Sequence, residues 1–330
     1  MFASDELLYL TAVLYRIVKA YAKIALHIYC RKVVINKPEW LEAKGPLLLA
    51  CNHPNSFLDG MILATLFQQK VYSLARGDAF RKPWHGKVLR WMHLLPVYRT
   101  SEGVENLEHN YTTFEACKKV FKENGIVLIF SEGRCINEWH LRPLRKGTAR
   151  LATSAWEEGI ELTVLPVGLN YNPFRNFGKN VFLNFGQPLN KEDVMRHRTD
   201  GRMFLTFNEH LNTGLQKLVF EIDPNDKTTI KERLSISLPL WKQLLLALPA
   251  ALGLVLHAPL YFTAKALTQH YFDNDHFDSV VASMLLLAYP VFLLLCYLVL
   301  AISFSWAWAL LCFLLFPFTA WCAVQLKPQT

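Results

Sequence analysis

Short apolar runs alternate with helical patterns through the middle of the chain. Five of the runs have the length of buried strands, at residues 47–51, 71–75, 126–131, 162–170 and 181–185. Between them, three stretches repeat their apolar positions at helical spacing, near residues 57–68, 103–123 and 147–158. Strands that alternate with helices predict an α/β domain with a mostly parallel central sheet.

The N-terminal segment has the pattern of a basic amphipathic helix over residues 6–32. Apolar residues recur at helical spacing from Leu7 to Ile28, and the opposite face carries Arg16, Lys19, Lys23, His27 and Arg31. This distribution is typical of a helix that lies in the membrane interface. Packing of the helix on the domain core is the alternative, and the two arrangements can coexist.

The last quarter of the chain is apolar enough to cross a membrane. Residues 238–263 form a run of spanning length, and residues 279–324 contain no Lys, Arg, Asp or Glu. The second run is about twice as long as one span requires, so it predicts two helices that turn near 303–305. A buried helical subdomain is the alternative. The predicted division is a membrane-associated helix at 1–35, an α/β domain at 36–237 and a membrane domain with three transmembrane helices at 238–330.

Charge separates the same regions. The formal net charge is +8, and beyond residue 239 the only charged side chains are Lys242, Lys265, Lys327, Asp273, Asp275 and Asp278. The tail is therefore neutral and the excess of cations lies before it. A basic domain joined to an apolar tail indicates an anionic membrane surface or phosphorylated substrates. Nucleic acid is not expected as a partner, because the sequence has no aromatic-rich RNA-binding motif and no basic recognition helix.

The positive-inside bias predicts the orientation in the membrane. The link at 264–278 holds one lysine and three aspartates, whereas residues 1–237 are strongly basic. We therefore expect an integral membrane protein whose α/β domain faces the cytoplasm, with the link on the opposite side of the bilayer.

A histidine and an aspartate are the first candidates for chemistry. His53 follows the apolar run that ends at Cys51, and Ser56 opens the helical pattern that carries Asp59. From that helix Asp59 can return within reach of the His53 ring, where a carboxylate fixes the tautomer of a general base and supports the imidazolium that forms. A buried histidine bonded to a nearby cap is the alternative.

A second loop follows the run at 126–131 and predicts an anion site. Glu132, Gly133 and Arg134 come directly after that run, and Lys146 opens a later helical pattern. Glycines let backbone amides approach an anion, the N-terminus of a helix adds a positive dipole, and the cations add full charges. Arg99 could reach the same cleft. No metal site is predicted, because none of the seven cysteines has metal-ligand spacing with a histidine.

In this order and at these separations, the blocks resemble the lysophospholipid and glycerophosphate acyltransferase superfamily. The matching positions are the first block from Asn52 and His53 through Asn55 and Ser56 to Asp59, Arg99 at the end of the second block, Phe130 to Arg134 in the third, Lys146 with Gly147 after it, and Leu165 to Val167 in the fourth. The resemblance covers roughly residues 45–190.

Two departures from the family pattern stand out. Five residues separate His53 from Asp59 where the common pattern has four. Ser131 replaces the proline of the third block, and Arg134 directly follows Gly133. The longer spacing is similar to that of a subgroup related to eukaryotic microsomal glycerol-3-phosphate acyltransferases, which also carry extra C-terminal spans.

The resemblance implies a glycerolipid acyltransferase-like catalytic domain at 36–237 that works in phospholipid synthesis at a bilayer. It would move a fatty acyl chain from acyl-CoA or acyl carrier protein to a hydroxyl of glycerol 3-phosphate or of a lysophospholipid such as 1-acylglycerol 3-phosphate. The donor is a substrate, and no bound cofactor is expected. His53 and Asp59 would be catalytic. Glu132, Gly133 and Arg134 would bind the phosphate, and we add Arg99 and Lys146.

Three alternatives belong to other classes of acceptor or of protein. The acceptor could be another lysolipid or an amino-lipid. A non-catalytic lipid-binding membrane protein would need the fold and the spans without the His–Asp pair. A serine lipase or esterase would need a G-x-S-x-G elbow, which this sequence does not contain.

Overall fold

The fold was taken from a computed structural model that describes residues 2–98, 109–197 and 199–329. The strands in these ranges are β1 (Cys30–Ile35), β2 (Leu47–Cys51), β3 (Val71–Arg76), β4 (Leu94–Val97), β5 (Ile126–Phe130), β6 (Thr163–Asn172) and β7 (Lys179–Phe185). The helices are α1 (Phe2–Tyr29), α2 (Ser56–Leu66), α3 (Pro83–Trp91), α4 (His109–Lys122), α5 (Lys146–Glu157), α6 (Lys191–Met195), α7 (Asp200–Gln216), α8 (Lys227–Leu234), α9 (Leu240–Tyr271), α10 (Phe277–Ser303), α11 (Trp306–Ala309) and α12 (Cys312–Leu326).

The strands form one sheet in the order β1-β7-β6-β2-β5-β3-β4. All neighbouring strands are parallel except β6 and β7, which are antiparallel. Strand β2 lies at the centre between β5 and β6, and all five of its residues are buried. Helices cover both faces of such a sheet, which is why its central strands are continuous apolar runs rather than alternating ones. The prediction of a mostly parallel α/β domain is confirmed.

Strand β1 was not expected, because the amphipathic pattern continues to residue 32. The helix α1 ends at Tyr29, and Cys30 starts a strand that runs parallel to β7. The β-branched residues Val33, Val34 and Ile35 favour a strand here. The predicted helix was therefore too long, since pairing with the edge of the sheet outweighs the helical periodicity.

Helix α1 packs on the domain through a face that carries Lys19 together with the buried Ala22 and Leu26, whereas Arg16, Lys23 and His27 are exposed. The Lys19 ammonium donates hydrogen bonds to the carbonyls of Phe67 and Gln69 at 2.6 and 3.2 Å, at the end of α2. The apolar side chains Leu14, Ile17 and Ile24 on the other side of α1 are exposed. The helix therefore docks on the domain, as one of the two predictions has it, and the exposed apolar stripe leaves the placement in the membrane interface as a prediction.

The C-terminal region contains three helical segments long and apolar enough to cross a membrane, at Leu240–Tyr271, Phe277–Ser303 and Trp306–Leu326. The turn between the last two lies at 304–305, where the sequence predicts it. Large apolar side chains point outward from these helices, with Leu248 73% and Ile302 87% exposed. Such surfaces are suited to lipid and not to water, so the protein associates with membranes.

The link between α9 and α10 contacts the α/β domain directly. Arg175 pairs with Asp273 at 2.8 Å, the backbone N–H of Asn137 donates to Asp275 at 3.2 Å, and Ser56 bonds to His276. The link therefore lies on the same side as the domain, and the prediction that it lies across the bilayer is wrong. The aspartates that produced that prediction are partners of domain residues, so they carry no information about orientation.

Candidate active site

The two candidate loops meet at one edge of the sheet. His53 follows β2 and Glu132 follows β5, and these strands are parallel neighbours in which Cys51 lies opposite Phe130. The carboxyl ends of parallel strands share one edge, which is where open α/β sheets bind ligands. The loops are also tied directly, because the N–H of Ile136 donates to the His53 carbonyl at 3.3 Å.

His53 and Asp59 form the contact that the sequence predicts. The His53 Nδ1 atom lies 2.8 Å from Asp59 Oδ2, and the Asp59 side chain is fully buried. The backbone N–H of Asn55 donates to the same oxygen at 2.9 Å. Since an ionised carboxylate only accepts hydrogen bonds, the neutral imidazole carries its proton on Nδ1 and keeps a lone pair on Nε2. His53 lines the cleft described below, where that lone pair can accept a proton.

The fourth-block strand supplies a further partner of Asp59. The hydroxyl of Tyr171, on β6, donates to Asp59 Oδ1 at 2.6 Å. Both carboxylate oxygens are therefore engaged, which fixes the plane of the group that orients His53. Tyr171 was not a sequence candidate, because a tyrosine inside an apolar strand has no signal that separates it from a core residue.

The extra residue between His53 and Asp59 is absorbed in the turn that starts α2. Ser56 adopts a positive φ of 51° there, which is uncommon for a residue other than glycine. The turn brings Asp59, in the first turn of α2, back to the imidazole. The His53 ring also stacks on Phe130 with centroids 3.8 Å apart, so its orientation is set from two sides.

Glu132 ties the His53 loop to the Arg142 loop. Its two carboxylate oxygens accept hydrogen bonds from the backbone N–H groups of His53 at 2.6 Å and Arg142 at 2.8 Å. Burial raises the pKa of Glu132 to about 7, although these two hydrogen bonds act in the opposite direction. Both oxygens are thereby engaged, so Glu132 holds two loops together, and its expected part in phosphate binding stays a prediction.

Gly133 also has a structural reason for its place. Its φ is +66°, its N–H donates to the Phe130 carbonyl at 3.1 Å, and a Cβ there would lie 3.0 Å from Cγ of Arg145. The residue closes a turn and leaves room for the Arg145 side chain. Its amide is therefore already used, and the anion site depends on side chains instead.

Cations surround the opening beside His53. Arg134 and Lys146 are exposed and line the same cleft as His53, and Lys146 is the first residue of α5. Arg145 and Arg150 line it too, although neither was a candidate from the sequence. The N-terminus of α5 adds its dipole to these charges. Arg99 lies outside the described residues.

Asn52 and Ser131 fasten the strand ends on which the site stands. The Asn52 amide donates to the Leu169 carbonyl at 2.9 Å and accepts from the Leu169 N–H at 2.7 Å, which extends the pairing of β2 with β6. The Ser131 hydroxyl accepts from Thr148 at 3.0 Å and its carbonyl from the Arg145 N–H. A proline at 131 could form the second bond but not the first, so the departure from the family pattern adds a contact to α5.

The cleft is lined by His53 and charged side chains and also by apolar ones. Its volume is about 2510 Å³, compared with roughly 300–1,000 Å³ for a typical small-molecule site. Helices α1, α2 and α10 contribute apolar wall residues such as Val18, Met61 and Leu287. The arrangement can accommodate a ligand with a charged head and a long apolar part.

Comparison with known proteins identifies the domain. Residues 32–170 match the family model described as Acyltransferase. The 1-acyl-sn-glycerol-3-phosphate acyltransferase of Bacillus subtilis (strain 168) is 25% identical over 197 residues, which are 58% of this chain and 89% of that relative. The matched region, residues 32–170, is therefore an acyltransferase domain, and the relative supports the glycerophosphate acyltransferase superfamily. The expected family and the expected activity class, acyl transfer, are confirmed.

A solved structure resembles this acyltransferase over most of its own length. The crystal structure of the 1-acyl-sn-glycerophosphate (LPA) acyltransferase PlsC from Thermotoga maritima has a TM-score of 0.44 and 14% sequence identity, and the similarity covers 66% of this chain and 90% of that one. The family match at 32–170 includes His53, Asp59, Glu132, Arg134 and Lys146. The apolar helices α9 to α12 lie outside that match.

Proposed function

We propose that this acyltransferase moves a fatty acyl chain from an acyl thioester to a hydroxyl of a glycerol phosphate, either glycerol 3-phosphate or its 1-acyl form. The observation that carries the proposal is that His53, which Asp59 orients, shares one cleft with Arg134 and Lys146. A base and an anion site in one cleft suit an acceptor that bears both a hydroxyl and a phosphate. The name of the Bacillus subtilis relative makes the 1-acyl form the first acceptor to test.

His53 acts as the general base. Its Nε2 atom takes the proton of the acceptor hydroxyl while the alcohol oxygen attacks the thioester carbonyl, and Asp59 stabilises the imidazolium that forms. A positioned base of this kind contributes about 10²–10⁴-fold to a rate. The carbon–sulfur bond then breaks, and the thiolate leaves with the electron pair and recovers the proton from His53. The products are the acyl ester and the free thiol.

Arg134 and Lys146 hold the phosphate of the acceptor. Both are exposed at the rim of the cleft, where a charged head can approach from water. Charge-assisted hydrogen bonds to phosphate are stronger than neutral ones and fix the direction of the bound group. A phosphate held at this rim places the glycerol hydroxyl toward His53, and so contributes to catalysis through orientation.

The acyl chains extend along the apolar walls toward the membrane helices. Helices α1 and α10 line the cleft, and both also carry exposed apolar side chains on their outer surfaces. A lipid substrate can therefore pass between bilayer and cleft without exposing its chain to water. The basic character of residues 1–239 supports placement of the domain on the cytoplasmic face, next to anionic lipids.

One assay tests the proposal. The purified protein receives labelled acyl-CoA or acyl carrier protein and, in separate reactions, glycerol 3-phosphate, 1-acylglycerol 3-phosphate, a phosphate-free monoacylglycerol and an amino-lipid. We expect transfer to a phosphate-bearing acceptor, and we expect His53→Ala to lose about 10²–10⁴-fold in kcat. His210→Ala, on α7 away from the cleft, is the matched control.

Two results would count against the proposal. A His53→Ala protein that folds normally and transfers acyl groups at the wild-type rate would remove the mechanism. Transfer to phosphate-free acceptors alone would remove the role of Arg134 and Lys146 and leave a different acceptor class.

A further inference from the structure

The first turn of α10 completes the start of α2, the helix that carries Asp59. The residue before α2, Asn55, forms no side-chain cap hydrogen bond to the helix within the described chain. Instead the N–H of Leu58 donates to the Ser279 hydroxyl at 3.1 Å, and that hydroxyl donates to the Asn55 carbonyl at 2.7 Å. A side-chain oxygen that accepts from the third amide of a helix is the usual cap. Here it comes from another helix.

The neighbouring residue of α10 holds the other side of Asn55. The Asn55 side-chain N–H donates to Asp278 Oδ2 at 2.9 Å. The backbone N–H of the same asparagine donates to the Asp59 oxygen that accepts from His53. Asn55 is therefore held by α10 at its carbonyl and at its side-chain amide. Its backbone N–H bonds to the Asp59 carboxylate.

Asp278 is fixed tightly enough to act as an anchor. It is 1% exposed, its Oδ2 atom lies 2.9 Å from Lys179 Nζ, and its Oδ1 atom accepts from the Tyr29 hydroxyl at 2.8 Å. Lys179 also donates to the Asn176 carbonyl at 2.6 Å. The charge is thus paired, and both carboxylate oxygens accept hydrogen bonds. A buried carboxylate with such partners is held in place, because losing any of them is costly.

We propose that Asp278 and Ser279 are positioning residues for the His53–Asp59 pair. Through them, α10 sets the geometry of the catalytic loop, which is the segment from His53 to Asp59. The kinetic part of this proposal rests on the proposed function. Neither residue touches the reacting atoms. Both act through Asn55 and the first turn of α2. The catalytic loop is therefore competent only when α10 lies in place against the domain.

Serine and threonine variants separate positioning from packing. Ser279→Ala removes the cap and the bond to Asn55, whereas Ser279→Thr keeps the hydroxyl. We expect Ser279→Ala to lower kcat about five- to tenfold with little change in the KM of the acceptor, and Ser279→Thr to restore most of it. Ser303→Ala, an exposed serine at the other end of α10, is the matched control.

Hydrogen–deuterium exchange of the full-length protein gives a second readout that needs no activity. We expect backbone amides within residues 56–60 to exchange faster in Ser279→Ala than in the wild type, and to regain protection in Ser279→Thr. Asp278→Asn leaves the buried Lys179 without its counterion, so it should lower the stability of the whole fold as well as the protection of these amides, and Ser279→Ala is the variant that isolates positioning.

Several outcomes would overturn the proposal. Unchanged exchange at 56–60 in Ser279→Ala would show that α10 does not cap α2. Faster exchange across the whole chain would show general destabilisation in place of positioning, and a raised KM with an unchanged kcat would place the effect on binding. If the wild type transfers acyl groups to no acceptor, the proposed function fails, while the exchange experiment still decides whether α10 holds the loop.

Discussion

The hydroxyl of Tyr171 donates a hydrogen bond to the buried carboxylate of Asp59 across 2.6 Å. Tyr171 belongs to β6, the strand that also carries the fourth block, and Asp59 belongs to the helix that follows β2. The bond therefore joins segments that lie more than one hundred residues apart in the chain. The strand of the fourth block fixes the carboxylate that in turn orients His53.

Tyr171→Phe tests this relationship, because it removes the hydroxyl and keeps the ring. We expect the free energy of unfolding to fall by about 1.5–3 kcal/mol, since a buried carboxylate oxygen loses a charged hydrogen bond. We also expect kcat to fall with the KM of the acceptor unchanged. Denaturation and steady-state kinetics measure both, with Tyr9→Phe, an exposed tyrosine of α1, as the control. Wild-type kcat in a folded Tyr171→Phe protein would show that Asp59 needs no help from β6.

Arg134→Ala tests the anion site at the rim of the cleft. Because a lost hydrogen bond to a charged group costs about 1.5–3 kcal/mol, we expect the KM of a phosphate-bearing acceptor to rise roughly tenfold or more. The KM of the acyl donor should change little. Arg202→Ala, an exposed arginine of α7, should behave as the wild type. A rise confined to the donor KM would instead place Arg134 on the phosphates of the donor.

Glu132 gives the stability of the protein a particular pH dependence. Its pKa is raised to about 7 from the ordinary value of 4.5, mainly by burial. Between these values the folded state binds more protons at this group than the unfolded state, so this contribution to stability is largest below 4.5 and is lost as the pH rises to about 7.

The substitution Glu132→Gln should remove that dependence. Thermal unfolding of the wild type and the variant at about pH 5 and about pH 8 isolates the contribution, because all other titrating groups are shared. The Tm of the wild type minus the Tm of the variant should be larger at the lower pH. The variant should also be less active, since an amide can accept from only one of the two backbone N–H groups at His53 and Arg142. An equal difference at both pH values would contradict the raised pKa.

The C-terminus should lie on the same side of the membrane as the α/β domain. The Gln329 side chain accepts from the amide of Asn180 and from the N–H of Ile236, both at 2.7 Å. The residues before α9 and those after α12 are therefore anchored together. Protease sites placed after Thr330 and after the exposed Asn225 should be cut from the same side of sealed vesicles. Cleavage from opposite sides would mean an odd number of crossings.

Much of the fold follows from local pattern. The central strands β2, β5 and β6 are continuous apolar runs, because both faces of the sheet are covered, and such runs are visible without any knowledge of their partners. The His53–Asp59 contact was also accessible, since both residues lie within one strand–turn–helix unit. Strand β1 was not, because pairing with β7 is a long-range effect that local periodicity does not contain.

Other parts of the site depend on contacts between distant segments. Tyr171, Asp278 and Ser279 each reach the catalytic loop from more than one hundred residues away. The part that Glu132 has in holding the loops could not be predicted for a similar reason, because the two amides that bond to its carboxylate lie in different loops. The predicted position of the link at 264–278 was wrong because counting charges treats Asp273 as free in water, whereas it pairs with Arg175.

The buried Lys179 has a practical consequence for work on this enzyme. The side chain is 0% exposed, and its counterion Asp278 comes from the region after residue 237. A shortened protein that stops there would keep an uncompensated positive charge in its interior, which is strongly destabilising. Removing the apolar tail to obtain a soluble protein is therefore expected to unfold the α/β domain. Preparations of the intact chain in detergent or nanodiscs keep the Lys179–Asp278 pair.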